Sequence, residues 1–254
     1  LIPAAGEDPV FKKILNGKPK AMLEIYGKTL LEHQVQALNN NNLADITVIA
    51  GYGRDQMHCE GINILENPDF KNGSMLNSLF VGKKKMSNGF IMLYSDILME
   101  DAIIKNLISR KEDIILVADN STQYHEPKEG NILDFIIAKH QNKRSRREIR
   151  FVSENVVSKI GNKINPETAS HEFIGVARFS KIGAEQLIET YNDIIKNYQG
   201  QFQESEDISQ LNFTDLIQEM IDRGFVVHFM EIHKGWLEIH NAEHIALAEK
   251  SFTK

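Results

Sequence analysis

Apolar residues arrive along this chain in two rhythms. Short runs at 1–5, 46–50, 62–65 and 90–95 read as buried strands, and between them the segments 28–40 and 74–85 carry apolar side chains at helical spacing. Within 28–40, Leu30, Leu31, Gln34, Val35 and Leu38 share one face, which reads as core, and Thr29 with Glu32 resembles a capping box. Such alternation predicts the βαβ rhythm of a largely parallel sheet. After a strand at Ile114–Ala118 the pattern gives way to a polar insertion at about 119–170. Regular patterning returns with a strand over Phe173–Phe179, helices near 181–197 and 213–223, strands near 226–231 and 236–239, and a final helix at Ala242–Ser251. The predicted fold class is therefore α/β with a mixed, mostly parallel central sheet, in one domain over 1–254.

Composition narrows the partners. A net charge of −6 argues against a general nucleic-acid binder, which draws its affinity from surplus Lys and Arg. The basic run of Lys139, Lys143, Arg144, Arg146, Arg147 and Arg150 is a local exception, readable as a solvated hairpin tip or as a lid over phosphates. The one cysteine, Cys59, forms no internal disulfide and suits a reducing cytoplasm, and no apolar stretch reaches membrane-spanning length. The chain starts inside its first strand, so residues are expected before Leu1, and a targeting segment stays open.

The chemistry concentrates at strand ends. Ala4, Ala5 and Gly6 close the first strand with side chains small enough for a backbone to approach a base and phosphates, and Pro19 stiffens the following loop just before Lys20. In open α/β sheets ligands bind at the carboxyl ends of the strands, where Gly6, Gly51, Asp96 and Glu238 all fall. Asp96, after Phe90–Leu93, reads either as a carboxylate aimed into that crevice or as the cap of a following helix.

Leu-Ile-Pro-Ala-Ala-Gly at 1–6 and Lys-Pro-Lys-Ala-Met-Leu-Glu-Ile-Tyr-Gly-Lys-Thr-Leu-Leu-Glu-His-Gln at 18–34 resemble the opening of the nucleotidyltransferases with a GT-A-like fold. That resemblance implies a three-layer α/β/α Rossmann-like architecture, a nucleoside triphosphate substrate and a Mg²⁺ cofactor. It assigns Lys20 and Asp96 to catalysis, Lys20 drawing the reacting phosphates together and Asp96 holding the metal. Where the family has a phosphate-gripping arginine in a Gly-x-Gly-x-Arg loop, this chain has Glu7 to Lys13, so Lys12 or Lys13 takes that place as a point charge. The turn Gly51–Gln56 lies near the base in the family, with Gln56 reading a base edge. Asn67-Pro68 and Asn77-Ser78-Leu79 resemble segments of phosphocholine and phosphonate cytidylyltransferases, in which Asn77 or Ser78 bonds cytosine; a plain helix start is the alternative.

The second family metal position lies in a late Trp-x-Glu segment, here Gly235-Trp236-Leu237-Glu238-Ile239-His240-Asn241. His240 stands where the family has Asp or Asn, so Glu238 takes the role, Asn241 contributes, or His240 coordinates the softer Mn²⁺; a histidine capping the last helix is the plain alternative. On the acceptor side, Glu172 with Asp215 would receive a cationic head, with Tyr124, Phe213 and Trp236 as aromatic partners, although Phe213 reads better as helix core. The expected partners are CTP and a small phosphonate or phospho-alcohol, with no nucleic acid and no membrane. The expected reaction is transfer of CMP to 2-aminoethylphosphonate or 2-hydroxyethylphosphonate, against phosphocholine, a sugar 1-phosphate with another nucleotide, or a catalytically silent nucleotide-binding module.

Overall fold

The computed structural model describes residues 1–121, 133–139 and 155–252. Tyr124 and the basic residues from Lys143 to Arg150 lie outside the described residues. In chain order the elements are β1 (Ile2–Ala4), α1 (Pro9–Ile14), β2 (Glu24–Ile25), β3 (Lys28–Thr29), α2 (Leu30–Asn40), β4 (Ile46–Ala50), β5 (Ile62–Glu66) and α3 (Met75–Val81). Then come β6 (Phe90–Leu93), β7 (Ile97–Met99), α4 (Asp101–Ile108), β8 (Ile114–Asp119), β9 (Phe135–Ala138) and β10 (Val157–Gly161). The chain continues with β11 (His171–Phe179), α5 (Lys181–Asn197), α6 (Phe213–Asp222), β12 (His228–Ile232), β13 (Trp236–Glu238) and α7 (Ala242–Ser251).

Strands β5, β4 and β1 pair in parallel. The Leu1 amine donates to Ile91 O and Leu1 O accepts from Leu93 N, which is parallel spacing and carries the order on to β6. Next to β6 runs β11, antiparallel; β8 is antiparallel to β11, and β12 is parallel to β8. Hence β5, β4, β1, β6, β8, β12 and β9 all point one way while β11 and β10 run against them, the mixed, mostly parallel sheet that the pattern predicts.

Alternate residues of β8 show why the sheet must be covered twice. Ile114, Leu116 and Ala118 pack with Leu76 and Leu79 of α3, Leu187 of α5 and Leu216 of α6. Ile115 and Val117 face the other way, onto Leu31, Val35 and Leu38 of α2 and Leu107 of α4. Each such fully buried aliphatic side chain contributes about 1.5–3 kcal/mol, so neither face tolerates water and the three-layer α/β/α arrangement follows. A satellite core of Phe11, Leu23, Ile25, Leu98, Ile239 and Ala248 ties α1, the β2–β3 hairpin, the β7–β13 ladder and α7 together beside the sheet's carboxyl edge.

Local chemistry sets the element ends. The capping box at Thr29 and Glu32 is present, so α2 begins at Leu30, while Lys28–Thr29 forms a short strand instead of a first helical turn. The asparagine run ends α2, with Asn41 as its cap. After Gly6 the expected lysine-bearing loop contains a helix, α1, because Asp8 accepts from Val10 N and Phe11 N and Pro9 fits a first helical position. Also unforeseen were β7 and α4, between two apolar runs, and the antiparallel β9–β10 pair inside the polar insertion, of which β9 pairs β11.

Strand β11 changes partners halfway. His171 and Glu172 pair β9, whereas Val176–Phe179 pair β6, and its register with β8 shifts between Phe173 and Ala177. Gly175 sits in that break at φ +73°, where a Cβ would drive into the Tyr94 ring. Gly175→Ala is expected to cost on the order of 1–3 kcal/mol, read from the urea midpoint; an unchanged midpoint would show that the break needs no glycine.

Candidate active site

A cavity of about 460 Å³ opens at the carboxyl edge of the sheet. Its floor is Pro3, Ala4, Ala5 and Gly6 from the end of β1, one wall is Phe70, Gly73, Ser74, Met75 and Ser78, and the opposite wall is Tyr94, Glu172, Phe173 and Phe213. A Cβ at Gly6 would meet no protein atom within 4 Å, so the end of β1 opens onto free space on the cavity side. Gly51 acts from behind: a Cβ there would lie 2.7 Å from Phe70 and 2.9 Å from Ala5, so its bareness lets those two lining residues close up.

Lys20 lies among carboxylates. Its Nζ is 2.9 Å from Asp96 Oδ2 and 3.2 Å from Asp8 Oδ2, and it sits 5.3 Å from the centre of the Phe11 ring. Burial alone would lower its pKa, but the Asp96 and Asp8 charges outweigh that and leave it raised, a permanent cation. Asp8 holds its place because its other oxygen caps α1. Sequence reading passed over Asp8 as part of a departure from the family loop; the Asp-Pro pair, an N-cap followed by a first helical position, was the available signal.

Glu238 reaches the same space from β13. Its strand is registered against β7, Glu238 opposite Ile97, and Ile239 N donates to Asp96 O at 3.0 Å, so backbone pairing brings the two carboxylate residues side by side. Burial raises the Glu238 pKa, the His240 contact opposes this and the like charge of Asp96 adds to it. His240 Nε2 stands 3.0 Å from Glu238 Oε2, and that contact raises the His240 pKa. A histidine held toward its cationic form serves as a charge partner of Glu238, and it does not line the cavity.

The cavity around Glu172 is acidic as well. Glu172 is 6% exposed, lines the cavity and has no hydrogen-bonding side-chain partner among the described residues. Burial, with Glu238, Asp119 and Asp134 adding, pushes it up to about 8. Asp134, which the sequence reading missed inside the polar insertion, also lines the cavity. It is pushed up to about 7, first by burial and then by Glu238, Glu204 and Asp215, against a hydrogen bond from Thr214. The Tyr94 hydroxyl bonds Asp134, and burial holds that phenol well above its ordinary range. Tyr94 meets Phe173 edge-on at 5.9 Å, and Phe173 stacks on Phe213 at 5.7 Å, so the carboxyls share a wall with aromatic faces. Phe213 is thus both helix core, as expected, and cavity wall.

Of the other predicted residues, Ser78 lines this cavity and the rest stand apart from it. Lys12 pairs with Glu7 on α1, and Lys13 is exposed on the same helix. Gln56 is exposed, its amide 3.5 Å from Gly17 O. Asn77 closes the capping box of α3 with Ser74, while its neighbour Ser78 lines the cavity and accepts from Asn67 Nδ2 at 3.0 Å. Asp215 is consumed by structure: it accepts from Ser205 Oγ at 2.5 Å, Glu204 N at 2.9 Å and Asn212 N at 2.9 Å, leaving no oxygen for a ligand. Trp236 donates its indole N–H to Asp119 at 2.7 Å and offers no face to the cavity.

The donor set fits a hard divalent cation. Asp96 and Glu238 are adjacent, both face the cavity, and the strain of their like charges is only partly met by Lys20. Among the described residues no group of three His, Cys, Asp or Glu stands at ligand spacing, so the protein would supply two carboxylates and a substrate the remaining oxygens, as Mg²⁺ sites with phosphates commonly do.

Comparison with known proteins bears on the family and the fold. Residues 13–150 match the model of the MobA-like NTP transferase domain. The chain is 21% identical over 252 residues to a CTP:phosphoglutamine cytidylyltransferase of Campylobacter jejuni, spanning 94% of each chain. Among solved structures it is similar to the CTP:phosphocholine cytidylyltransferase of Streptococcus pneumoniae, with a TM-score of 0.71, 15% identity and 99% and 97% of the two chains covered. It is also similar to the inositol-1-phosphate CTP transferase of T. maritima, with a TM-score of 0.71, 17% identity and 100% and 96% covered. At such identities the structural likeness is one of fold.

Glu172 and Asp134 hold their protons more tightly in the fold than in the unfolded chain, so their contribution is complete below the unfolded value and is lost as pH rises through about 7 and about 8. Glu172→Gln is expected to stabilise the free protein at about pH 8.5, by an amount on the order of 2 kcal/mol, and to change little at about pH 5. Urea unfolding at both pH values checks this; equal effects at the two would contradict the buried, ionising Glu172.

Proposed function

Because the chain belongs to the MobA-like NTP transferase domain family, we propose that it is a CTP-dependent cytidylyltransferase that transfers CMP to a small phosphonate or phospho-alcohol and releases pyrophosphate. The observation that carries the reading is Lys20, a buried ammonium fixed between Asp8 and Asp96 where the β1 cradle meets the β6–β7 turn. The similarity along almost the whole chain to a cytidylyltransferase acting on a phosphorylated amino-acid amide supports the choice of CTP.

In the proposed reaction an acceptor oxygen attacks the α-phosphorus of CTP, forming one P–O bond as the bond to the pyrophosphate oxygen breaks. Ala4, Ala5 and Gly6 leave room for the nucleotide, and Ser78, held by Asn67, is available to the base. Lys20 supplies positive charge to the phosphate oxygens without needing to be protonated at that moment. Asp96 and Glu238 would hold Mg²⁺, which when bound neutralises charge on the phosphates. No covalent bond to the enzyme is required, so positioning and electrostatics carry the catalysis.

The acceptor end favours an acceptor with a cationic head. Glu172 and Asp134 pay for burial while nothing cationic among the described residues touches them, and an ammonium would restore their charged forms against the faces of Phe173 and Tyr94. That reading supports 2-aminoethylphosphonate or phosphocholine over 2-hydroxyethylphosphonate.

Asp96→Ala should lower pyrophosphate release at least ~10³-fold and Lys20→Ala by ~10²–10³-fold, measured with Mg²⁺, each nucleoside triphosphate and each candidate acceptor. Glu172→Gln should raise KM for an ammonium-bearing acceptor at least ~10-fold and leave KM for CTP within about twofold. Full activity of Asp96→Ala would remove its assigned role, and turnover only with a sugar 1-phosphate would overturn the acceptor.

A further inference from the structure

Gln34 is a polar residue on the apolar face of α2, 1% exposed, among Leu31, Val35 and Leu38. Its surroundings call for leucine. Instead, its amide nitrogen donates twice, to Tyr94 O at 2.7 Å and to Ile97 O at 2.8 Å, while its Oε1 finds no partner among the described residues. A buried amide with one unsatisfied atom costs stability, so its presence calls for a return through the two bonds it does make. Those bonds fix which end of the amide faces the loop, since only the NH₂ end donates.

The two carbonyls flank Ser95 and Asp96. Of the two carbonyls between them, Asp96 O accepts from Ile239 N at 3.0 Å, beside Glu238. Tyr94 N in turn donates to Gly175 O at 2.9 Å. The turn is thereby tied to α2 on one side and to β13 on the other, with the Asp96 side chain left to project toward Lys20 at 2.9 Å.

We propose that Gln34 is a positioning residue: its amide clamps the turn from Tyr94 to Ile97 and so sets the orientation in which the Asp96 carboxylate meets a divalent cation and the CTP phosphates. The clamp never touches substrate, and it rests on the assignment of Asp96 as a metal ligand made above. Gln34→Met keeps the volume and removes both bonds, whereas Gln34→Glu keeps the shape and regains a single donor only when its carboxyl is protonated.

Two readouts test the clamp, neither of them turnover. Amide hydrogen exchange of the segment 95–98 should accelerate at least ~10-fold in Gln34→Met while that of β4 stays unchanged. Mn²⁺ binding in the presence of CTP, followed by the electron paramagnetic resonance of free Mn²⁺, should weaken ~10-fold in Gln34→Met and recover in Gln34→Glu as pH is lowered from about 8 to about 6, with wild type varying far less. Unchanged exchange at 95–98, or faster exchange with wild-type Mn²⁺ affinity, would overturn the proposal. Failure of the wild-type protein itself to bind Mn²⁺ with CTP would overturn the Asp96 assignment and the clamp with it, an outcome distinct from loss in the variant alone. Should Gln34→Met fold poorly, the pH response of Gln34→Glu decides: no recovery at low pH counts against the clamp.

Discussion

One ammonium organises the charged end of this molecule. Lys20 enters from the segment that leads into the satellite core, Asp96 from the turn after β6, and Asp8 from the cap of α1, so three stretches distant in sequence meet at one nitrogen. Of the described residues lining the cavity, Lys20 is the cationic one, set against Glu7, Asp8, Asp96, Asp134, Glu172 and Glu238. Such an excess of carboxylate, partly desolvated, is stable only because some members stay protonated and others share the lysine. Carboxylate thereby gathers in two places along the cavity, Asp96 beside Glu238 and Glu172 within the field of Asp134.

The architecture and most of this cluster, Lys20, Asp96, Glu172 and Glu238, are legible in the chain itself. Strand-ending Asp96, the Pro19-Lys20 pair and the small residues at 4–6 announce themselves because each combines an element boundary with an unusual residue type. Asp215 misleads for a physical reason: a carboxylate at the third position of a helix serves its own N-terminus, and nothing local distinguishes that use from ligand binding. Asp134 is hidden inside a polar stretch whose short strands lack apolar alternation, and its importance comes from burial that only the tertiary fold imposes. Gln34 is harder still. Helical spacing puts it correctly on the core face, but no period tells that a side chain there reaches a turn on a different strand.

The family assignment and the electrostatics divide the molecule in a consistent way. Residues 13–150 carry the family match, while the late segments supply Glu172 and Glu238. Ala4 to Gly6 and Asp96 follow parallel strands, whereas Glu172 pairs with β9, an element outside the plain βαβ alternation.

The change of partners along β11 gives this division a mechanical form. Side chains on a strand alternate between faces, so inserting or deleting one residue ahead of Gly175 would swing Glu172 to the opposite face of the sheet. The pairs from Val176 to Phe179 would keep their phase, because the break at Gly175 absorbs the shift. A single glycine therefore works as an expansion joint: length changes ahead of it re-aim Glu172 while the half of β11 that pairs β6 keeps its register.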